Sequence, residues 1–461
     1  MMASWLHVLV TLIVALPVST CLLLGIPSWF GARIGERVVS AIVAWTFGLT
    51  TMAAALALVV LWWQPGAAVV VDLGVWFQID HYAFHWRLLG DALSLPFATF
   101  AALLTGLIAA FSSRYLHREL GFFRFYLLLS LFGAGVQIVV LAGGLDLLFF
   151  GWELVGLTSA LLIAFFHERK KPVEHGLRAF LTYRVCDIGL LAAAVYMHHY
   201  TGAALFEPAS LDSGSLASGS PFGGLPPPAV GSECLVVGFM MLWASMGKSA
   251  QIPLGGWLPR AMEGPTPSSA IFYGAISIHL GPYLLLRAAP ILDATPAVAI
   301  TVAIIGGLTA LHATFVGRVQ TDIKSVLAYA SMTQVGLIML EIGLGLRWLP
   351  LLHIVGHATV RSLEILRSPS LLQDYRHLEQ AIGRQVTRTS FHFERLLPQR
   401  LRPWFYRHAL ERGYFDVLLR DYVVGGFLRA CRCLDVCDGW LLARLVGTKK
   451  KTAAKQDEAA Q

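Results

Sequence analysis

Apolar runs long enough to cross a lipid bilayer recur along nearly the whole of the chain, and that repetition restricts its fold more than any other feature. A helix of about 20 apolar residues spans the hydrocarbon of a membrane, and about eleven such segments are present. They lie near 5–27, 38–62, 91–111, 124–142, 145–166, 177–199, 234–252, 268–288, 296–316, 323–345 and 348–366. Inside hydrocarbon every backbone polar group must be bonded within the protein, so each run is read as a helix. Apolar residues make up 56% of the chain and charged ones 14%, which excludes an ordinary soluble domain. The expectation is an all-α polytopic membrane protein. The first run has no charged flank before it and no clear cleavage site after it, so it reads as a retained helix rather than a leader.

The connecting loops predict an orientation, because Lys and Arg are held back on the cytoplasmic side. Arg33 and Arg37, then Arg114, Arg118 and Arg124, then Arg169, Lys170, Lys171 and Arg178 fall on alternate connections. The whole interval 185–247 has no Lys or Arg. This pattern predicts an N-terminus outside, everything beyond Arg367 inside, and the cytoplasmic membrane of a bacterium as the location. The net charge of +7 then reflects topology and attraction to anionic lipid, and no nucleic-acid partner is expected. The six cysteines form no recognisable disulfide framework, and the run Cys431, Cys433, Cys437 does not match a common zinc spacing. No metal or cofactor is expected in this chain.

Three regions follow from composition: a membrane body over 1–366, a charged cytoplasmic or interfacial helical region over 367–447, and a polar tail over 448–461 expected to be disordered. Within the second, Phe415, Leu418, Leu419 and Tyr422 stand at i, i+3, i+4 and i+7, the mark of an amphipathic helix. It either lies on the bilayer or docks a partner, or it packs on its own membrane body.

An ionisable group within the bilayer costs about 2.5–3.5 kcal/mol, so each needs a partner, water or a function. Glu153 sits mid-way along "LDLLFFGWELVGLTSALLIAFF", and Lys248 ends the run "CLVVGFMMLWASMGK". Burial favours a neutral amine and a nearby carboxylate favours a charged one, so a Glu–Lys pair of variable separation can hold and release a proton. The alternative for Glu153 is a structural ion pair. Pro253 lacks the N–H that would bond the Ser249 carbonyl, which predicts a helix break within about a turn and a half of Lys248. Broken membrane helices are tolerated where they line hydrated cavities. "GPTPSS" restarts the chain with Thr266 as N-cap and Pro267 at the first helical position.

Arg184 and Asp187, three apart in "YRVCDIG", share a helix face and either pair with each other or tune Glu153. His353, His357 and Arg361 follow at successive i+4 steps, a polar stripe suited to relaying protons. His279, just before the helix-disturbing Gly281–Pro282, is either a further relay or a packing residue.

"GWELVGLTSALLIAFF", "YRVCDIG", "GKSAQIPLGGWLPRAMEGPTPSSAI" and "TDIKSVLAYASMTQVGLIML" resemble the antiporter-like subunits of respiratory complex I and the related Mrp-type cation antiporters, over about residues 90–361. The resemblance implies the antiporter-like fold with broken helices. It also implies that Glu153 and Lys248 are the paired glutamate and lysine of a first half-channel, that Arg184 and Asp187 belong to that network, and that His353 and His357 sit on a central polar axis. Two positions depart from the pattern: Tyr273 stands where the family usually has histidine, and Arg361 where it has a lysine. Arginine scarcely deprotonates, which weakens a relay there. The later helices of the family's second repeat are not recognisable.

"HATVRSLEILRSPSLLQDYRHLEQAIG" and "LERGYFDVLLRDYVVGGFL" resemble a narrower branch, the DabB membrane subunits of DAB inorganic-carbon transporters. That resemblance implies a large cytoplasmic DabA-like partner bearing zinc, and an H⁺ or Na⁺ gradient that drives hydration of CO₂ to bicarbonate in the partner. The alternatives are a proton-pumping subunit of an NADH/quinone oxidoreductase or Mrp-type antiporter, and a non-conducting anchor for a cytoplasmic enzyme.

Overall fold

The computed structural model describes residues 2–63, 68–79, 82–208, 221–228, 231–383 and 398–445. The chain divides into two compact units, Met1–Leu410 and Glu411–Gln461. The tail 448–461 lies outside the described residues, as do the middle of the Lys- and Arg-free loop and part of the charged region after the last span.

Among the described residues nine helical spans are long and apolar enough to cross a membrane. The first six are α1 (Met2–Trp29), α2 (Glu36–Trp62), α3 (Ser94–Tyr115), α4 (Phe122–Leu141), α5 (Leu145–Ile163) and α6 (Lys170–Thr201). The remaining three are Thr266–Arg287, α11 (Pro296–Val319) and α12 (Ile323–Gly343). The other two expected segments are also helical, α7 (Gly231–Lys248) and α13 (Trp348–Ile382), but fall outside that set. Their polar content is the reason: α7 carries Glu233 and Lys248, and α13 carries His353, His357, Arg361 and Glu364. The helices nearest to the chemistry are the ones least like ordinary lipid-facing spans.

Among the described residues one hairpin departs from an all-helical reading. Val69–Ile79 (β1) and Tyr82–Gly90 (β2) form an antiparallel hairpin, registered Val69↔Gly90, Asp72↔Arg87 and Ile79↔Tyr82. The stretch is rich in β-branched and aromatic residues, and Trp76, Phe77, Phe84 and Trp86 gather on it with ring centroids 5.4–5.9 Å apart. Gly74, at φ +101°, takes a left-handed conformation at a register shift and donates its N–H to Asp72.

The Thr266–Arg287 span is wholly buried and is far from a regular helix. It runs as α8 (Thr266–Ser269), a π-helical turn (Ala270–Ala275), a 3₁₀ turn (Ser277–His279) and α9 (Leu280–Arg287), and the short α10 (Ala289–Ala294) then leads to α11. Pro282, expected to disturb this helix, is the third residue of α9, a position where its missing N–H costs nothing. The irregular turns precede it. Thr266 is the first helical residue, one later than expected of an N-cap, and its hydroxyl lies 3.1 Å from that of Tyr115.

The expected break after Lys248 is present and begins at once. Helix α7 ends on Lys248, and two 3₁₀ turns, Leu254–Trp257 and Arg260–Glu263, carry the chain to α8. The freed backbone groups find side-chain partners: the Ser249 carbonyl accepts from Gln251 Nε2 at 2.8 Å, and the Gly247 carbonyl from Trp257 Nε1 at 3.1 Å. The Ile252 N–H donates to Thr309 Oγ1 at 3.1 Å. The carbonyl orphaned by Pro253 is therefore satisfied by a glutamine two residues before the proline.

In the second unit a 3₁₀ turn (Arg412–Tyr414) and a short helix (Phe415–Leu418) lead through a π-helical turn (Leu419–Val424) into a helix over Gly425–Leu445. The π turn shifts the helical register within the expected amphipathic stripe. Phe415 and Leu419 are half-buried while Leu418 and Tyr422 are exposed. Cys431, Cys433 and Cys437 are all exposed on the long helix.

Candidate functional site

Lys248 is completely buried at the point where α7 breaks. Its amine donates to the backbone carbonyl of Trp152 at 2.8 Å and lies 4.8 Å from the centre of the Trp152 ring and 5.0 Å from that of Tyr183. The absence of a side chain at Gly156, one turn beyond Trp152 on α5, makes room for it: a Cβ there would stand 2.9 Å from the amine nitrogen. The lysine is thus cradled by a carbonyl and two aromatic faces, and among the described residues no carboxylate is ion-paired with it.

The two carboxylates expected around it are engaged elsewhere. Glu153 is ion-paired with Arg184, not with Lys248. Asp187 accepts from the Trp152 indole N–H at 2.5 Å, so Arg184 and Asp187 do not pair with each other. Trp152 links the two halves of the site, because its carbonyl holds the amine and its indole holds Asp187. Side-chain exposures of 18% for Glu153 and 46% for Arg184 put this pair towards the periphery, while Lys248 and Asp187 lie inside. An arrangement of this kind holds a cation by weak, reversible contacts and keeps carboxylates within reach of it, which suits a group that changes its charge or position.

From Lys248 a run of edge-to-face rings leads towards the buried span. Tyr183 and Trp257 have centroids 4.9 Å apart, and Trp257 and Tyr273 5.6 Å. Tyr273 is wholly buried, and its hydroxyl has no hydrogen-bond partner among the described residues. Beyond it His279 Nδ1 lies 2.5 Å from the Ala275 carbonyl and its Nε2 lies 3.0 Å from His357 Nδ1. In neutral rings this pattern is directional: His279 donates from Nδ1 to the carbonyl, His357 donates from Nδ1 to His279, and His357 Nε2 is left as a buried acceptor with no partner among the described residues.

The expected stripe along α13 is not a single wire. His353 Nδ1 is 2.8 Å from Glu341 Oε1 and its Nε2 is 3.0 Å from Gln334 Oε1, both on α12. Arg361 bonds Glu364 at 2.6 Å. His353, His357 and Arg361 each face a different neighbour. Among the described residues no three His, Cys, Asp or Glu side chains are grouped to hold a metal ion.

Sequence reasoning passed over several members of these networks. Trp152, Tyr183 and Gly156 gave no signal, because an aromatic or a glycine in an apolar helix is unremarked. Glu341 did give one: it is a carboxylate in the tenth apolar run, and the cost of a membrane charge applies to it as to Glu153. Asp91 and Arg287 stand at the ends of two apolar runs. In the fold they form a buried ion pair in which Arg287 Nη2 donates to Asp91 Oδ1 at 3.0 Å and Arg287 Nε to the Tyr283 hydroxyl at 3.2 Å.

Comparison with known proteins fits this geometry. A family model described as "NADH:quinone oxidoreductase/Mrp antiporter, TM" matches residues 142–385. A second, "NADH-Ubiquinone oxidoreductase (complex I), chain 5 N-terminus", matches 76–126. NADH-quinone oxidoreductase subunit L of Escherichia coli is 35% identical over 309 residues, 66% of this chain and 48% of the relative. NADH-ubiquinone oxidoreductase chain 5 of Schizophyllum commune is 34% identical over 305 residues, 66% of this chain and 43% of the relative. A chain in the solved structure of the Mrp complex from Dietzia sp. superposes with a TM-score of 0.62 at 25% identity, covering 85% of this chain and 40% of that one. The chain spans about half the length of the curated relatives it matches.

Proposed function

Because the chain belongs to the NADH:quinone oxidoreductase/Mrp antiporter transmembrane family, we propose that it is a multi-pass, proton- or cation-translocating subunit of a larger membrane complex. The observation that carries the reading is Lys248: a wholly buried amine at a broken helix, held by one carbonyl and two ring faces, with Glu153 and Asp187 occupied by other partners. Movement of Glu153 from Arg184 towards the lysine would stabilise the ammonium, and its return would release the charge. His279 and His357 supply a second polar centre beyond the aromatic run. In this reading the chain lies in the cytoplasmic membrane of a bacterium, N-terminus outside and C-terminus inside, as the loop charges indicate.

The oxidoreductase and antiporter relatives favour this reading over the inorganic-carbon role. The latter rests on the resemblance of 357–383 and 410–428 to DabB and brings with it a zinc-bearing DabA-like partner. A third reading, a non-conducting anchor, leaves the burial of Lys248 without a purpose. Affinity purification in mild detergent separates them. Copurifying iron–sulfur and quinone-binding subunits, or several antiporter-type subunits, assign the translocation to an oxidoreductase or antiporter complex; a single large zinc protein assigns it to the inorganic-carbon role instead.

A further inference from the structure

Helices α11 and α12 touch backbone to backbone over the half of their length that holds Gly306, Gly336 and Gly343. A Cβ on Gly306 would stand 2.5 Å from the Gly336 carbonyl, and one on Gly343 2.5 Å from the Ala303 nitrogen. Toward the turn that joins the two helices the contact opens into a cleft of about 480 Å³. Small side chains make the space: Gly317 on α11 and Ala330 on α12 line it. Its polar lining is Arg318 near the turn, then Thr314 and Thr333, whose hydroxyls are 3.2 Å apart, and finally Gln334.

Gln334 is what makes the cleft more than a packing gap. The side chain that lines the cleft is also the one that meets His353 Nε2 at 3.0 Å, while His353 Nδ1 meets Glu341. The second oxygen of Glu341 is buried and has no hydrogen-bond partner among the described residues. A histidine and a carboxylate sharing one hydrogen bond inside a membrane span are costly to keep there and exchange protons only if water reaches them. Hydroxyls and an amide leading to them from one end of the helix pair offer such a route.

We propose that the α11–α12 cleft is a hydrated approach by which a proton reaches the His353–Glu341 pair from the α11–α12 turn, with the Gln334 amide as the contact between cleft and imidazole. The inference rests on the translocating reading above and adds a second point of access, separate from Lys248. Gln334 Oε1 accepts from an Nε2–H in the contact described; when the amide rotates away, the neutral ring can instead carry its proton on Nδ1, facing Glu341, with Nε2 bare. Nε2 takes a proton from cleft water once Gln334 turns aside, and the Nδ1 proton passes to the carboxylate. One O–H of a hydronium ion breaks as Nε2–H forms and Nδ1–H breaks as the Glu341 O–H forms, so the imidazole ends neutral as its Nε2–H tautomer, which the Gln334 oxygen accepts from.

The test is thiol accessibility in the intact complex. Thr333→Cys and Thr314→Cys are exposed to a membrane-impermeant cationic methanethiosulfonate, and modification of each peptide is read by mass spectrometry. The comparison is Leu308→Cys, a half-exposed apolar position on α11. The proposal expects both cleft cysteines to react at least tenfold faster than the Leu308 variant, and Ala330→Trp, which fills the cleft, to lower ion flux at least tenfold with the complex still assembled. Cleft cysteines that react no faster than the control overturn it, as does unchanged flux in Ala330→Trp. A wild-type complex that conducts nothing overturns the translocating reading instead, while the labelling still decides whether the cleft holds water.

Discussion

A methyl group added at Gly156 would lie 2.9 Å from the Lys248 amine, closer than the 3.4–4 Å of ordinary contact, so the amine must retreat by about 0.5–1 Å. Gly156 and the Trp152 carbonyl share one face of α5, one turn apart, so retreat from the first is also retreat from the second. The 2.8 Å hydrogen bond is carried to the edge of its range or beyond it. A hydrogen bond to a charged group contributes about 1.5–3 kcal/mol, and each 1.36 kcal/mol is tenfold in rate. Gly156→Ala should therefore slow translocation by about 10- to 150-fold where the held amine sets the rate. The fold responds in the opposite direction, because alanine inside a helix is favoured over glycine by about 0.5–1 kcal/mol. Flux into proteoliposomes, followed with a pH-sensitive dye under an imposed potential, measures the first effect, and thermal aggregation in detergent the second. Slow flux with undiminished stability is the expected pair of results. Flux within about twofold of wild type would refute the reasoning, because the amine would then work equally well away from the carbonyl.

Other substitutions read different contacts. Asp91→Ala leaves the buried Arg287 guanidinium uncompensated and should destabilise the protein by about 3–5 kcal/mol, seen as early aggregation on heating; Asp91→Leu combined with Arg287→Leu should recover part of the loss. Glu153→Gln removes the charge that Arg184 holds and should slow translocation while the complex still purifies; full flux in this variant would assign Glu153 a structural role only. His279→Phe strips the His357 N–H of its acceptor, costing about 1–3 kcal/mol, and His279→Gln, which keeps an acceptor, should restore more of the flux than of any other property lost. Gly343→Leu places a side chain against the backbone of α11, where a Cβ alone would be 2.5 Å from the Ala303 nitrogen, and should reduce the yield of folded protein.

The helices were legible because membrane solvation leaves one solution for a long apolar run, and the break after Lys248 because Pro253 removes a donor at a known place. The hairpin over 69–90 was not, since its residues are as apolar as those of a helix and its alternation is blurred by the register shifts near Val75. The same division holds at the site. Glu153, Lys248, Arg184, Asp187 and the histidines all stand out as polar residues in apolar runs. Their pairing does not, because residues 12 to 96 apart in sequence meet through helix packing that no local pattern encodes. Lys248 shows the limit most clearly: its closest polar partner is a backbone carbonyl, a group every residue has.

The central claim is that this chain moves a proton or cation by way of Lys248, and flux by the purified complex in proteoliposomes, wild type beside Lys248→Met, tests it most directly. Methionine keeps the length and apolar stem of the side chain and removes only the amine, so the packing around Trp152 and Tyr183 should survive. The expected result is gradient-driven flux in the wild-type complex and none above empty vesicles in the variant, with the same subunits copurifying. Equal flux in both would contradict the claim.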